Sequence, residues 1–390
     1  VGDEHQLPPT SFFKRTDDEE DDSIDVQESI LDLAKTVWRK SRMLRWHYRS
    51  QHQDLIAFSN SQFYNDKLVF FPSAVDKSPN LGIEYTFVSN ATNSSRNTNR
   101  EEASKVVDYV IDHMKNSTNK ESIGIVAMNM NQQQLIDDLL EKRIDDEDDN
   151  RIEAYIESFA DEEKKKEKLF VKNLENVQGD ERDVIVISFT YAKKEGAIEI
   201  TQQFAQLYGD GWRRLNVLLT RAKKKMVVFS SFKYHEVKVK PGQTAKGVVA
   251  LSAFLKYAET GSLPEQYEVT GRAPDSDFEI AVMDALKDKG YSCIPQVGVS
   301  SYRIDVGVEN PDFPGEFIMG IECDGATYHS SKSARDRDRI RESILVGLGW
   351  RIERIWSTSW FYDSSTEIKR ITDPIYQKVS KVIPEIEWAF

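Results

Sequence analysis

Three acidic side chains in the last third of the chain are spaced to do chemistry. Glu322 and Asp324 lie two residues apart at the end of the apolar run 317–321, and residues two apart on a strand share a face. Asp305 sits in an alternating run in which Tyr302, Ile304, Val306 and Val308 take one side and Arg303 and Asp305 the other. Carboxylates at the end of a buried strand are costly unless a cation or hydrogen bonds compensate them. Together the three acids predict a hard-cation site suited to Mg2+ or Mn2+. Such an ion activates water and stabilises charge in phosphodiester cleavage. His329 follows closely, although a lone histidine reads more simply as a satisfied surface or core residue. Glu279 has a structural alternative too, because Ser276-x-x-Glu279 is a capping box.

Two basic stretches match acidic partners or substrates. From Arg213 to Lys225 there are six basic residues and no acid, in a chain of formal net charge −13. Leu215, Val217, Leu218, Leu219 and Ala222 give the stretch a helical apolar face, so a basic helix needing an anionic counterpart is expected. From Lys332 to Arg354 there are seven basic and four acidic residues. Arg335 and Arg339, like Arg337 and Arg341, are spaced i,i+4 on an expected helix. That face can follow a phosphate backbone, or pair with Asp336 and Asp338.

The elements that must hold these residues alternate. A helix is expected over 29–40, then a strand at 83–88, a helix at 98–114 opened by Thr98-x-x-Glu101, a strand at 123–128 and a helix at 132–142. The charge blocks 145–149 and 161–168 read as an insertion between elements. A buried strand follows at 184–189, then the basic helix, a strand at 226–231 and a helix at 248–257. Alternation at this spacing argues for a parallel sheet flanked by helices. Gly261-Ser262-Leu263-Pro264 reads as a linker. Beyond it come a helix from Ser276 stopped at Gly290, the strands 302–308 and 317–321, an amphipathic helix over 335–348 and a strand over 351–356. Phe58, Phe63, Tyr64, Phe70 and Phe71 read as core.

Length allows two or three domains. The chain has 390 residues and a pI near 5.1, and acidity does not exclude nucleic acid, because local basic stripes decide binding. Two cysteines, Cys293 and Cys323, exclude a disulfide scaffold and fit a reducing cytosol. They read as small hydrophobes rather than ligands. No apolar run approaches the ~20 residues of a membrane span. The run Asp17–Asp22 reads as a solvated acidic loop. Val1 opens the chain in mid-pattern, so a piece of a longer protein is expected.

Several motifs carry a family resemblance. Gly2-Asp3-x-x-Gln6-Leu7-Pro8-Pro9 resembles motif III of superfamily 1 helicases. Leu44-x-x-x-Tyr48-Arg49-Ser50 resembles motif IV, the segment 170–183 with Gln178-Gly179-x-Glu181-x-Asp183 motif V, and Arg213-Arg214-Leu215-Asn216-Val217-x-x-Thr220-Arg221-Ala222-Lys223 motif VI. The resemblance implies a second RecA-like, P-loop NTPase-type parallel-sheet domain over residues 36–260. A motif III tail of the first motor domain and the acidic loop precede it, over 1–35. It implies that Arg221 and Arg49 reach the γ-phosphate of ATP and that Gln6 senses the nucleotide. Gln178 and Gly179 would lie near phosphates and nucleic acid, and Glu181 would hold the ribose. The segment 201–211 departs from the family's Gly/Asn-rich loop, so no contacts carry over there. The phosphate-cradling G-x-x-x-x-G-K-[ST] occurs nowhere in the chain. A missing N-terminal motor domain is therefore the implied partner.

Residues 277–361, with Ile321-Glu322-Cys323-Asp324-Gly325-Ala326-Thr327-Tyr328-His329 and the stretch 334–356, resemble a very-short-patch-repair-endonuclease-like domain of the PD-(D/E)XK fold. This implies a restriction-endonuclease-like α/β domain over 275–390 behind a linker at 261–274. Asp305 and Glu322 would be metal ligands, Glu279 a supporting acid, and Asp324 and His329 residues of the site. The family's E-x-K lysine is Asp324 here, so His329 or Lys332 would have to orient the water. The whole implies an ATP-dependent DNA helicase-nuclease of the prokaryotic cytoplasm, acting in defence or repair. Two alternatives stay open: a helicase whose nuclease-like domain only binds DNA, and an RNA helicase of the same superfamily.

Overall fold

In the computed structural model the described residues are 2–7, 30–38, 40–76, 78–94, 96–117, 120–147, 149–161, 164–193, 200, 204–238, 245–263, 273–298, 302–325 and 332–379. The acidic run 17–22, His329 and the centre of the linker lie outside them. Two units form, one of Val1–Trp46, Asp54–Leu68 and Asn80–Leu263, the other of His47–Gln53, Val69–Pro79 and Pro264–Phe390.

The first unit contains α1 (Ile30–Val37), α2 (Asp54–Phe63), β1 (Gly82–Phe87), α3 (Arg100–Asn116), β2 (Ile123–Ala127), α4 (Met130–Asp146), α5 (Asn150–Glu157), β3 (Phe170–Asn173), β4 (Arg182–Ala192), α6 (Trp212–Leu219), β5 (Ala222–Ser231) and α7 (Lys246–Thr260). The five strands pair in the order β1-β5-β4-β2-β3, every pair parallel. β2 is buried at every position, as a strand covered on both faces must be.

Four local expectations change. The α3 cap is Asn99, whose side chain accepts from the Glu102 N–H, one residue later than Thr98-x-x-Glu101 suggests. Asp149, at the end of the first charge block, caps α5, and Ile152 and Tyr155 beyond it bury into the core, so the stretch between the blocks is a packed helix. The basic stretch is not one helix: α6 ends at Leu219 and Ala222 already begins β5. Finally, Ile30, Leu33, Val37 and Trp38 stay exposed, although their spacing is helical.

The second unit contains α8 (Asp277–Asp288), β6 (Cys293–Val297), β7 (Ile304–Glu309), β8 (Phe317–Asp324), α9 (Lys332–Gly347), β9 (Ile352–Trp356), α10 (Ser357–Tyr362) and α11 (Ser364–Val379). Its sheet runs β6-β7-β8-β9, antiparallel until the last pair, β8 with β9, which is parallel. Val282, Leu286, Val306, Val308, Met319, Ile321 and Ile371 form its core. The 69–79 segment is stitched to this unit. The Trp350 indole N–H donates to the Pro72 carbonyl at 2.9 Å, and the Phe317 N–H to Ala74 at 2.9 Å.

Candidate functional site

In the second unit, the acids named from the sequence gather where β7 and β8 run side by side. The pair Val306–Ile321 is in antiparallel register, which sets Asp305 beside the Glu322 end of β8. Asp305 accepts the Cys323 backbone N–H at 2.7 Å. Burial pushes its carboxyl up to about 6; the Cys323 N–H opposes that shift, and Glu279, Glu322 and Asp324 add to it. Glu279 is 5% exposed. It accepts from the Ser276 hydroxyl, the Asp275 N–H and the Gln296 amide, each at 2.9 Å. It is therefore both the capping acid of α8 and a member of the acidic group.

Glu322 takes the Tyr302 hydroxyl on Oε1 and Arg354 Nη2 at 2.9 Å on Oε2. Arg354 also sets Nε 2.9 Å from Asp324 Oδ2. Sequence reasoning missed Arg354; the available signal was a basic residue in the middle of the last strand, which pairs in register with Glu322. Arg341, named from its spacing on the basic helix, sets its guanidinium 4.4 Å from the centre of the Tyr302 ring. Arg339 is exposed on α9. Arg335 and Lys332 belong to the same helix, with side chains outside the described set. The donors are hard carboxylate oxygens, the right type for Mg2+ or Mn2+. Among the described residues, however, no three His, Cys, Asp or Glu side chains close into a metal cage. Burial pushes the Cys293 thiol up to about 12 and the Cys323 thiol higher still, as expected of small apolar-site cysteines.

In the first unit the helicase-like motifs converge through backbone carbonyls. Asn216 on α6 donates to the His5 carbonyl at 2.8 Å and to the Tyr64 hydroxyl at 3.1 Å. Tyr64 donates to Asp3 at 2.7 Å, and Gln6 donates to the same Asp3 oxygen at 3.0 Å. Gln178 donates to the Leu7 carbonyl at 3.0 Å. Arg221 is 4% exposed. Its guanidinium reaches the Val217 carbonyl at 2.7 Å, the Thr220 hydroxyl at 2.9 Å and the Asp180 carbonyl at 3.4 Å. Gly179 has φ +92 with open space where a Cβ would be; only glycine takes that backbone without strain. Arg49 falls in segment 47–53 of the second unit.

For the three lysines of the basic stretch the expected anionic counterpart is internal. Lys223 pairs with Glu181 at 3.5 Å, Lys224 with Glu121 at 3.0 Å and Lys225 with Glu84 at 2.6 Å. A second group escaped the sequence entirely. Glu102 is fully buried, and its carboxylate accepts from Ser188, Ser231 and the Thr190 N–H, each at 2.6 Å. Thr190 is β-branched at φ 67, a conformation that needs such support.

Comparison with known proteins decides the family. The model described as AAA domain, AAA_12, matches residues 26–233, more than half of the chain. The chain belongs to the AAA domain family. In this AAA-domain protein a second model, REase_MTES_1575, matches residues 278–375. The helicase-like unit is thus followed by a restriction-endonuclease-like one. Two curated relatives, "Uncharacterized ATP-dependent helicase MG140 homolog" of Mycoplasma pneumoniae and "Uncharacterized ATP-dependent helicase MG140" of Mycoplasma genitalium, are each 27% identical over 92% of the chain. The chain spans about a third of their length, 33% in each case. A solved structure described as the C-terminal domain of a possible DNA helicase from Lactobacillus plantarum overlaps 47% of this chain and 86% of its own. Its identity is 15% and its TM-score 0.26, too low to bear on the fold. No described helix is long and apolar enough to cross a membrane.

Proposed function

We propose that this chain is the carboxyl-terminal part of a superfamily 1 ATP-dependent DNA helicase-nuclease, with a PD-(D/E)XK phosphodiesterase centre at Asp305, Glu322 and Asp324. The observation that carries the reading is the gathering of these acids on β7 and β8, inside the span that matches a restriction-endonuclease model. Asp305 and Glu322 would hold a Mg2+ or Mn2+ ion, which supplies Lewis-acid activation of water when bound. Tyr302 fixes the Glu322 carboxylate by hydrogen bond. Asp324 would lie in the site, and His329 or Lys332 would orient the water. Arg335 and Arg339 would follow the phosphate backbone.

In the motor, ATP would bind against a motor domain supplied by the rest of the longer protein. Arg221 and Arg49 would stabilise charge on the transferring phosphoryl group. Gln6, Gln178 and Gly179 would couple nucleotide to nucleic acid, and Glu181, released from Lys223, would hold the ribose. The compartment would be the prokaryotic cytoplasm and the role defence or repair.

The test is incubation of the pure chain with single-stranded, duplex and forked DNA, with Mg2+, Mn2+ or EDTA. Cleavage that requires the metal is expected; cleavage that persists in EDTA contradicts the site. A second reading, a nuclease-like domain that only binds DNA, is favoured by the Arg354 pairing with Glu322 and Asp324. It gives DNA binding of equal strength with and without metal, and no cleavage.

A further inference from the structure

We propose that Arg354 is a built-in counter-ion that a divalent cation must displace, and that the displaced guanidinium then grips a nucleic-acid phosphate. Metal and nucleic acid would thereby bind cooperatively. The proposal rests on the reading of Asp305 and Glu322 as cation ligands.

The geometry is that of one cation spanning two acids. β9 lies parallel to β8 with Arg354 in register with Glu322. From there Nη2 reaches Glu322 and Nε reaches Asp324, both at 2.9 Å. The guanidinium hydrogen-bonds Glu322 and makes an ion-pair contact to Asp324, spreading one delocalised charge over two carboxylates as a compact ammonium does not. The acids are largely shielded from water, with side chains 15% and 18% exposed, so a paired cation stabilises their ionised form. Both oxygens of Glu322 are engaged, Oε1 by Tyr302 and Oε2 by Arg354. Each carboxylate oxygen keeps a second acceptor site, so the Tyr302 hydrogen bond can persist beside an incoming divalent ion, whereas a fixed guanidinium there would repel it. Arg354 is therefore the partner that leaves.

Once released, the guanidinium presents a bidentate donor suited to phosphate. Arg341, packed on Tyr302, supplies a second positive charge on the same side chain that holds Glu322. A phosphate that binds Arg354 makes its departure easier, and coupling of this kind is reciprocal.

The test measures free Mn2+ by electron paramagnetic resonance in titrations of the whole chain, wild type against Arg354→Met and Arg354→Lys. Anisotropy of labelled duplex DNA is read in parallel, with and without Ca2+. Arg354→Met should bind Mn2+ on the order of tenfold more tightly than wild type, a common size for such coupling. Arg354→Lys, which keeps the charge on a compact ammonium, should show a smaller gain and serves if the methionine variant fails to fold. Ca2+ should strengthen DNA binding by wild type and not by Arg354→Met. Equal Mn2+ affinity in all three proteins, alongside metal-dependent cleavage, overturns the counter-ion role and leaves the nuclease reading standing. No Mn2+ binding by any of them overturns both.

Discussion

Glu102 illustrates how a single buried carboxylate leaves a signature in solution. Burial pushes its pKa up to about 7 from an ordinary 4.5, against the opposing bonds from Ser188, Ser231 and Thr190. The folded chain then holds the proton more tightly than the unfolded one. That contribution to stability is complete below pH 4.5 and is lost as pH rises through about 7. Glu102→Gln lacks the titration and leaves donors mismatched, at a cost of about 1–3 kcal/mol. Urea melts from pH 5 to pH 8 should show wild type exceeding the variant most at pH 5, with the gap shrinking toward pH 8. A gap that is constant or widens with pH contradicts this role. Nothing at the residue level of the sequence announced Glu102, because Ser188 and Ser231 meet it only after β4 and β5 are laid side by side. The same limit hid Arg354, whose meaning depends on strand register. Asp305, Glu322 and Asp324 were legible because alternation and i,i+2 spacing carry the information locally.

At the scale of elements, local periodicity located the strands and helices better than it located their ends. The turn at Thr220 and Arg221 breaks an apolar pattern that reads as continuous helix, because Arg221 folds back on the Val217 carbonyl and β5 starts at once. The lysines of β5 then find acids on neighbouring segments, which composition alone could not reveal. Segment 69–79 packs with the second unit through bonds to residues more than 200 positions away, such as Pro72 with Trp350. Trp350 is 2% exposed and stacks on Phe317 at 5.2 Å. Trp350→Phe should keep most of the packing and leave the Pro72 carbonyl unpaired, costing about 1–3 kcal/mol. Hydrogen exchange in residues 73–79 should accelerate relative to wild type; unchanged protection there would show that the indole bond does not anchor the segment.

At the scale of the molecule, two sheets of different topology underlie the two proposed activities. The all-parallel sheet with its helices carries the motifs that gather around Asn216 and Arg221, and the mixed sheet carries the acids. The chain has no G-x-x-x-x-G-K-[ST] sequence, so it lacks a phosphate cradle of that type. Pure chain should therefore show no DNA-stimulated ATP hydrolysis, and measurable turnover in a phosphate-release assay would refute that division of labour. In the proposed nuclease the acids on β7 and β8 would need no such partner. The most direct measurement is DNA cleavage by the purified chain in Mn2+, with Asp305→Ala and Glu322→Ala compared against wild type after each variant is shown to melt cooperatively. Cutting by wild type and its loss in both variants are expected; undiminished cutting by either folded variant would contradict the metal site.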